Sequence, residues 1–332
     1  MMCPEDTERW TFNIVYTAGT VMYFLPFLKS LLAHDSAQFR LIDNGCLPPE
    51  KRALEDFANQ SPRLSLLSLS ETACRSHGEI LDALIDVPTS GPFCFMDSDI
   101  IATGAFSPAL ADALCHAPAV FSAEPIWLPD GDGVFQPPLQ SLTGEYIRNN
   151  EGGAVGCTYC AVFDREALRA VTDAYGVSFE HITWSELSGA VQTELVHRGR
   201  RAKLYDTAKL ATAFLDGPRH ITLPSLHHIG GSSFEVRRTK QKAARSSPLR
   251  VPVLKHLRAT AGYLRFGGIR EAHRTAYRRL NFRDPVREYL LDLTKALATE
   301  TSEPPIPITP SESVNRKMAA GADAIRSAWA LP

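Results

Sequence analysis

Two acidic residues, Asp97 and Asp99, have the spacing and the flanks expected of a metal site. They follow the apolar run Phe93–Met96 and precede Ile100 and Ile101, a pattern that predicts a buried strand. Residues i and i+2 of a strand face the same side, so a turn at its end could aim both carboxylates at one point. Hard oxygen ligands suit Mg²⁺ or Mn²⁺. The alternative is a solvated loop with two unrelated acids.

The bulk composition is that of an ordinary globular protein. The chain has 332 residues, of which 44% are hydrophobic and 22% charged, and its formal net charge is −2. This length suffices for one large domain or two modest ones. The net charge says nothing about partners, but the lack of a nucleic-acid recognition motif predicts no nucleic-acid partner. No apolar run is long enough to span a bilayer.

The cysteines and the N-terminus favour a reducing compartment. The sequence has seven cysteines, an odd number, and residues 1–11 contain no apolar signal segment. We therefore expect free thiols and a cytoplasmic location. Cys157 and Cys160 form a lone C-x-x-C, which we interpret as two ordinary thiols because no further metal ligands accompany it.

Strands and helices alternate along the chain as far as Ser233. Strands are predicted at 12–16, 39–43, 64–69, 92–96, 159–163 and 202–205, and helices at 21–33 (interrupted early by Pro26), 49–59, 78–85 and 184–197. This alternation predicts a parallel sheet covered by helices, with ligands at the carboxyl ends of its strands. The later part is predicted as a basic helical segment at 237–297, a proline-rich linker at 304–310 and a helix at 313–329.

Several motifs occur in the order that is typical of nucleotide-sugar glycosyltransferases of the GT-A fold. Residues 41–46 (L-I-D-N-G-C) resemble the V-V-D-N-G-S segment, and residues 97–99 match the D-x-D motif. Residues 163–168 (F-D-R-E-A-L) resemble a strand followed by R-E-A-L, and residues 228–233 (H-I-G-G-S-S) resemble H-x-G-G-x-S. The chain therefore resembles the family 2-like group of these enzymes over about residues 12–233.

The resemblance implies an α/β fold with a mixed, mostly parallel sheet flanked by helices and a C-terminal helical appendage. The implied domains are a GT-A catalytic domain at 1–234, a basic helical extension at 235–300, and a linker with a terminal helix at 301–332. Within the catalytic domain, the nucleotide-binding half covers about 1–105 and the acceptor half about 106–234.

The resemblance also implies roles for individual residues. Asp99 is expected to bind the metal, and Asp97 the metal through water or the donor ribose. His228 could complete the metal shell, bind the diphosphate when protonated, or be a surface histidine; His227 is a weaker candidate. The residues expected to bind the donor are Tyr16, Thr17, Asp43, His77, Asp97, Ser98, Gly230 and Gly231.

Three of these assignments have structural alternatives. Asp43 could instead form a turn with Asn44 and Gly45. His77 could belong to a helix start that binds no ligand. Gly230 and Gly231 could let the backbone approach phosphate or could form a hinge.

The base that would take the proton of the acceptor has two candidates. The acidic pair that the family places before its acceptor helix is not plainly present in the segment 180–187. An inverting transfer needs a general base. Glu186 is the first candidate for this base, and Glu180 is the second. The alternative for Glu186 is an exposed acid favoured by a helix dipole.

The implied function is a metal-dependent glycosyltransferase of the hexosyltransferase type that uses Mn²⁺ or Mg²⁺ and a nucleotide-sugar donor, with inversion favoured. The acceptor could be a small molecule, a glycan or a lipid-linked sugar. The basic segment from Arg237 to Arg287 could reach donor phosphates or an acidic acceptor, contact the inner membrane face, or form a solvated appendage.

Other functions remain open at this point. A D-x-D phosphohydrolase would carry Thr or Val where Ile101 stands, with the motif near the chain start. A sugar nucleotidyltransferase would carry arginine in the loop after the first strand, where Thr17–Thr20 has none. A non-catalytic sugar-binding relative is a further alternative.

Overall fold

A computed structural model describes residues 7–70, 73–89, 91–122, 125–127, 155–156, 159–202, 204–228 and 285–330. The chain forms two compact units, Met1–Leu226 and His227–Pro332. Most of the predicted basic segment, together with Gly230 and Gly231, lies outside the described residues. Within the described ranges, no helix combines the length and the apolar character needed to cross a bilayer.

Strands and helices alternate through the first unit. The strands are β1 (Thr11–Thr17), β2 (Gln38–Asn44), β3 (Leu64–Ser70), β4 (Phe93–Met96), β5 (Ile100–Ala102), β6 (Ala119–Ser122), β7 (Pro125–Trp127), β8 (Val155–Gly156), β9 (Cys160–Phe163), β10 (Ile182–Thr183), β11 (Leu204–Tyr205), β12 (Arg219–Ile221) and β13 (Leu226–His228). The helices are α1 (Val21–His34), α2 (Pro48–Ala58), α3 (His77–Ile85), α4 (Ser107–Leu114), α5 (Arg165–Tyr175), α6 (Gly189–His197) and α7 (Lys209–Phe214).

A seven-stranded sheet forms the centre of the described part of this unit, in the order β12-β6-β9-β4-β1-β2-β3. Neighbouring strands are parallel except β9, which runs antiparallel to both β4 and β6. The predicted fold class, a mixed and mostly parallel sheet with helices, is therefore confirmed. Because β1, β2, β3 and β4 are parallel, their carboxyl ends share one edge of the sheet.

The core lies on and around β4, β6 and β9, whose residues are all buried. Aromatic rings fill the space beside these strands. Phe93 and Phe95 of β4 pack against Phe163 and Phe179, with ring centroids 5.6–6.3 Å apart. Burial of such rings is a large favourable term, and it leaves β4 rigid just before Asp97.

Two predicted helices differ in detail from the structure. α1 runs through position 26, so the helix continues past the proline that was expected to interrupt it. The helix predicted at 184–197 is instead a short 3₁₀ turn, Trp184–Glu186, followed by α6. Ser188 caps α6 by accepting from the N–H of Val191 at 3.3 Å, which sets the later start.

The described part of the second unit, after β13, consists of α8 (Pro285–Ala298) and α9 (Glu312–Trp329), joined by the proline-rich residues. The predicted helix at 313–329 is confirmed. Ser311 begins α9 by accepting from the N–H of Val314 at 3.4 Å. Arg326 donates to a carboxylate oxygen of Glu303 at 2.8 and 3.0 Å, which ties the linker to α9.

Candidate functional site

The two acids of the D-x-D motif follow β4 directly, at the carboxyl edge of the sheet. The N–H of Asp97 donates to the carbonyl of Tyr159 at 2.7 Å, one residue beyond the last β4–β9 pair. Asp97, Ser98 and Asp99 are half-buried, whereas Met96 before them is buried. A buried strand therefore delivers both carboxylates to a partly solvated turn.

The strand that follows the motif is held by one hydroxyl group and one backbone carbonyl from distant elements. The N–H of Ala102 in β5 donates to Oγ of Ser30 at 3.1 Å, and the N–H of Thr103 donates to the carbonyl of Ser225 at 2.8 Å. Ser225 directly precedes β13, which pairs with β5.

Asp97, Asp99 and His228 could together hold a metal ion. Each offers one ligand atom, and these atoms lie within 4.8 Å of one another. Two carboxylates and one imidazole form a hard, partly nitrogen donor set, which Mn²⁺ accepts readily and Mg²⁺ less so. Among the residues that the structure describes, the predicted metal ligands are thus brought together.

Asp43 lies at the end of β2 and is only 1% exposed. Its Oδ1 accepts from the N–H of Cys46 at 2.9 Å and its Oδ2 accepts from Ser68 Oγ at 2.8 Å. Burial would raise the pKa of Asp43, but the hydrogen bonds from Cys46 and Ser68 and from Lys51 lower it below its ordinary value. Both oxygens thus accept hydrogen bonds within the fold, and the contact of Asp43 with the donor stays a prediction.

The other residues expected to bind the donor are placed differently from one another. The Tyr16 ring is 1% exposed and burial raises the pKa of its hydroxyl, so the ring belongs to the core. Thr17 ends β1 and its carbonyl accepts from Thr20 Oγ1 at 2.7 Å. Ser98 is half-buried between the two acids. Gly230 and Gly231 lie outside the described residues.

His77 is the first residue of α3, and it contacts β4, the strand that leads into the motif. Its ring meets the ring of Phe95 edge-on, with centroids 6.2 Å apart. Phe95 and Asp97 are two residues apart, so they face the same side of the β4 line. His77 therefore lies on the side of β4 from which Asp97 extends.

No family model matches this chain, and no curated protein matches it. Solved structures do match. The chain is 15% identical to the mannosyltransferase PcManGT from Pyrobaculum calidifontis, whose structure is a complex with GDP-Man and Mn²⁺. The match covers 96% of this chain and 86% of that one, with a TM-score of 0.40.

Two further solved structures match, one a glycosyltransferase and the other a synthase. The glycosyltransferase GlyE of Streptococcus pneumoniae is 14% identical, with 73% of this chain and 52% of that one covered and a TM-score of 0.39. This chain thus spans about half of the GlyE chain. A 4-diphosphocytidyl-2C-methyl-D-erythritol synthase from Anaerococcus prevotii is 14% identical over 65% and 89% of the two chains, with a TM-score of 0.34.

The order and direction of the strands describe the fold of this chain directly. β9 is inserted antiparallel between β4 and β6, and the D-x-D motif follows β4 in an otherwise parallel sheet. The expected mixed, mostly parallel sheet flanked by helices is thereby present.

The two acids considered as bases both take part in helix caps of the first unit. Glu186 is exposed, and its Oε2 accepts from the N–H and Oγ1 of Thr183 at 2.9 and 2.7 Å. Glu180 is half-buried, and its Oε1 accepts from the N–H of Glu79 at 2.8 Å. The exposed carboxylate of Glu186 is thus the more accessible of the two.

The acidic cluster formed by Asp82 and Glu79 of α3 with Glu180 was not anticipated from the sequence. Burial raises the pKa of Asp82, the N–H of Phe179 opposes this, and the carboxylates of Glu180 and Glu79 add to the rise. The Oδ1 of Asp82 accepts from that Phe179 N–H at 2.8 Å. No local pattern signals this contact, since Asp82 and Phe179 are far apart along the chain.

The cysteines differ in part from the expectation of free thiols. Cys115 is disulfide-bonded, whereas Cys46, Cys94 and Cys160 are free. Burial raises the pKa of Cys160, with a further contribution from Asp97. An inert Cys160 agrees with its interpretation as an ordinary thiol, and Cys157 lies outside the described residues.

Proposed function

We propose that this protein is a metal-dependent glycosyltransferase that moves a sugar from a nucleoside-diphosphate sugar to an acceptor hydroxyl. The observation that carries the proposal is the convergence of ligand atoms from Asp97, Asp99 and His228 within 4.8 Å, at the carboxyl edge of the sheet. Ligands of doubly wound sheets bind at this edge. The motif order of the sequence supplies the class of substrate.

Asp99 and His228 would hold the ion directly, and Asp97 would hold it through water or contact the donor ribose. A bound divalent ion stabilises negative charge on a departing diphosphate. The protein would contribute a fixed geometry. The N–H of Asp97 is bonded to Tyr159, while Ser30 and Ser225 accept hydrogen bonds from β5 and from the residue after it. His77 would face the donor from the start of α3.

Glu186 is proposed as the base that takes the proton of the acceptor. Its carboxylate is exposed, so an acceptor hydroxyl can approach it. Oε2 accepts the capping bonds from the N–H and the hydroxyl of Thr183, and these bonds orient the carboxylate that would take the proton. Inversion at the anomeric carbon follows if this base deprotonates the acceptor as it attacks.

The loop after β1 argues against a nucleotidyltransferase. The N–H of Gly19 donates to Oε1 of Glu50 at 2.9 Å, and Glu50 is 6% exposed. A buried carboxylate thus occupies a backbone donor that a phosphate-binding loop would offer to its substrate, and its charge repels phosphate. The phosphohydrolase alternative is disfavoured as well, because β1, β2 and β3 all precede the motif strand.

The proposal is tested by measuring thermal shifts with UDP, GDP, dTDP and CDP, each with and without Mn²⁺. We expect one nucleotide to raise the unfolding temperature, and to do so only with Mn²⁺, because ligands that bind the folded state stabilise it. Incubation of a cell extract with the corresponding nucleotide sugar, followed by mass spectrometry, would then identify the acceptor. If no nucleotide shifts the transition, the proposal is wrong.

A further inference from the structure

We infer that Glu180 is a positioning residue for His77 and is not the base that takes the acceptor's proton. The inference rests on the proposed function in one respect, namely that His77 faces the donor. Three connected contacts support the inference. The Glu180 carboxylate contacts the start of α3, the backbone of residues 179–180 packs along α3, and the ring of His77 packs against β4.

The Glu180 carboxylate completes the N-terminal cap of α3. Its Oε1 accepts from the N–H of Glu79 at 2.8 Å and from the hydroxyl of Ser76. Ser76 is the N-cap residue, and its N–H donates to Glu79 Oε2 at 3.0 Å. A helix start carries N–H groups without partners and a positive dipole end, so an added carboxylate stabilises it. Oε1 therefore already accepts from two donors in its structural role.

The backbone of residues 179–180 fixes where α3 lies. A Cβ on Gly78 would meet the Cα of Glu180 at 2.5 Å, so the two backbones are in direct contact. The N–H of Phe179 donates to Oδ1 of Asp82 at 2.8 Å. Gly78 and Asp82 are four residues apart and share one face of α3. Contacts at both positions prevent the helix from sliding along this segment.

His77 transmits this placement to the motif strand. The Phe179 ring lies 6.1 Å from that of Phe95, and the His77 ring lies 6.2 Å from the same Phe95. Phe95 precedes Asp97 by two residues on β4. Loss of the Glu180 carboxylate would remove a partner from the N-terminal cap of α3 and let His77, its first residue, shift relative to Asp97, while the contacts at Gly78 and Asp82 keep the rest of the helix in place. Small displacements of a binding group weaken binding considerably.

The test compares Glu180→Gln, Glu180→Ala, His77→Ala and the Glu180→Ala/His77→Ala double variant. Glutamine keeps an oxygen that can accept from Glu79 and Ser76, whereas alanine does not. We would measure dissociation constants for UDP, GDP, dTDP and CDP with Mn²⁺ by calorimetry. For the nucleotide that binds wild type, Glu180→Gln should stay within about threefold, and each alanine variant should bind about tenfold more weakly.

The double variant separates positioning from a general structural effect. If Glu180 acts through His77, the double variant binds no more weakly than His77→Ala alone, because the pair is coupled. Additive losses, or a loss in Glu180→Gln equal to that in Glu180→Ala, would overturn the inference. Glu166→Ala, an exposed acid in the first turn of α5, is the matched control and should bind like wild type.

A second readout is independent of nucleotides. The ring resonances of His77, assigned by their absence in His77→Ala, should show the shift caused by the neighbouring Phe95 ring. We expect this shift in wild type and Glu180→Gln and its loss in Glu180→Ala. An unchanged shift in Glu180→Ala would overturn the inference even if nucleotides bind. Failure of wild type to bind any nucleotide would instead overturn the proposed function, and the resonances would still decide the placement of His77.

Discussion

The backbone N–H of Asp97 donates to the carbonyl of Tyr159 at 2.7 Å, one residue beyond the last described pair of the motif strand and its antiparallel neighbour. The described pairing thus extends one residue beyond β4, to the first acid of the motif. Asp99, two residues later, lies beyond the sheet but before β5. The backbone is therefore held by a strand on each side of the motif, while Asp97 and Asp99 themselves are half-buried.

Asp99→Ala is expected to remove metal-dependent nucleotide binding while the fold remains intact. Asp99 is half-buried and supplies one of the grouped ligand atoms, so its loss removes charge and an oxygen ligand. We expect the affinity for Mn²⁺ to fall at least about tenfold, measured by calorimetric titration. Asp112→Ala, which removes an exposed acid of α4, is the control. Full metal-dependent activity in Asp99→Ala would refute the metal site.

Glu186→Gln is expected to lower kcat roughly 10²–10⁴-fold without changing the affinity for the donor. Glutamine can still accept from Thr183, so the 3₁₀ turn at Trp184–Glu186 should persist. The measurement is steady-state kinetics with the preferred donor and acceptor, alongside circular dichroism. Thr183→Val removes the hydroxyl partner and serves as a control for the turn. Retained kcat in Glu186→Gln would exclude this residue as the base.

Asp43→Asn is expected to destabilise the protein by roughly 1.5–3 kcal/mol at neutral pH, since it replaces a buried carboxylate that accepts from Cys46 and Ser68. The folded-state pKa of Asp43 is lowered. Its stabilising contribution is therefore present above the unfolded value of about 3.9 and is lost as the pH falls below it. Urea unfolding at several pH values should show the variants converging in acid. A pH-independent difference would contradict this.

His220 is expected to make stability depend on pH between about 6.5 and 4. Burial lowers its pKa to about 4, and its Nε2 has no hydrogen-bond partner within the described structure. The unfolded chain binds a proton first as the pH falls, so stability is full above about 6.5 and declines toward 4. We expect a loss of about 1–2 kcal/mol, reduced by partial exposure. His220→Phe should abolish it.

The control for this pH dependence is His116→Gln, which changes an exposed histidine after α4. Its unfolding curves should follow those of wild type at each pH. If His220→Phe retains the full decline between pH 6.5 and 4, another group is responsible and the assignment to His220 is wrong.

Gly78→Ala is expected to destabilise the protein by about 1–3 kcal/mol. The new Cβ would lie 2.5 Å from the Cα of Glu180 and 2.7 Å from its nitrogen, and a backbone cannot move aside as a flexible side chain can. Gly189→Ala is the matched control, because a Cβ there meets nothing within 4 Å. The control should be neutral or stabilised by about 0.4–1 kcal/mol. Equal denaturation midpoints for both variants would contradict the close approach at Gly78.

Local sequence patterns determined the elements that precede and carry the motif. Apolar runs such as residues 93–96 are long enough to reveal a strand, and the acids after it mark its carboxyl end. The helix at 77–85 was evident from its apolar periodicity. The three-residue strands β5, β7, β12 and β13 were missed, because so few residues show no periodicity.

Only the tertiary structure decided how distant elements meet. No local pattern indicates that β9 enters between β4 and β6 in the opposite direction, since strand pairing depends on packing of the whole sheet. The same holds for the carboxylates. Asp43 stands at a strand end in the sequence, but only the tertiary structure brings Ser68 to its carboxylate. Glu180 caps a helix a hundred residues before it along the chain.

The sequence by itself therefore determined which residue types stand at the strand ends, because side-chain direction follows from the periodicity of a single element. The distances between His228 and the two acids, and between His77 and Phe95, depend on how separate elements pack. Packing is set by buried surface contributed from the entire unit, and so it cannot be obtained from spacing along the chain.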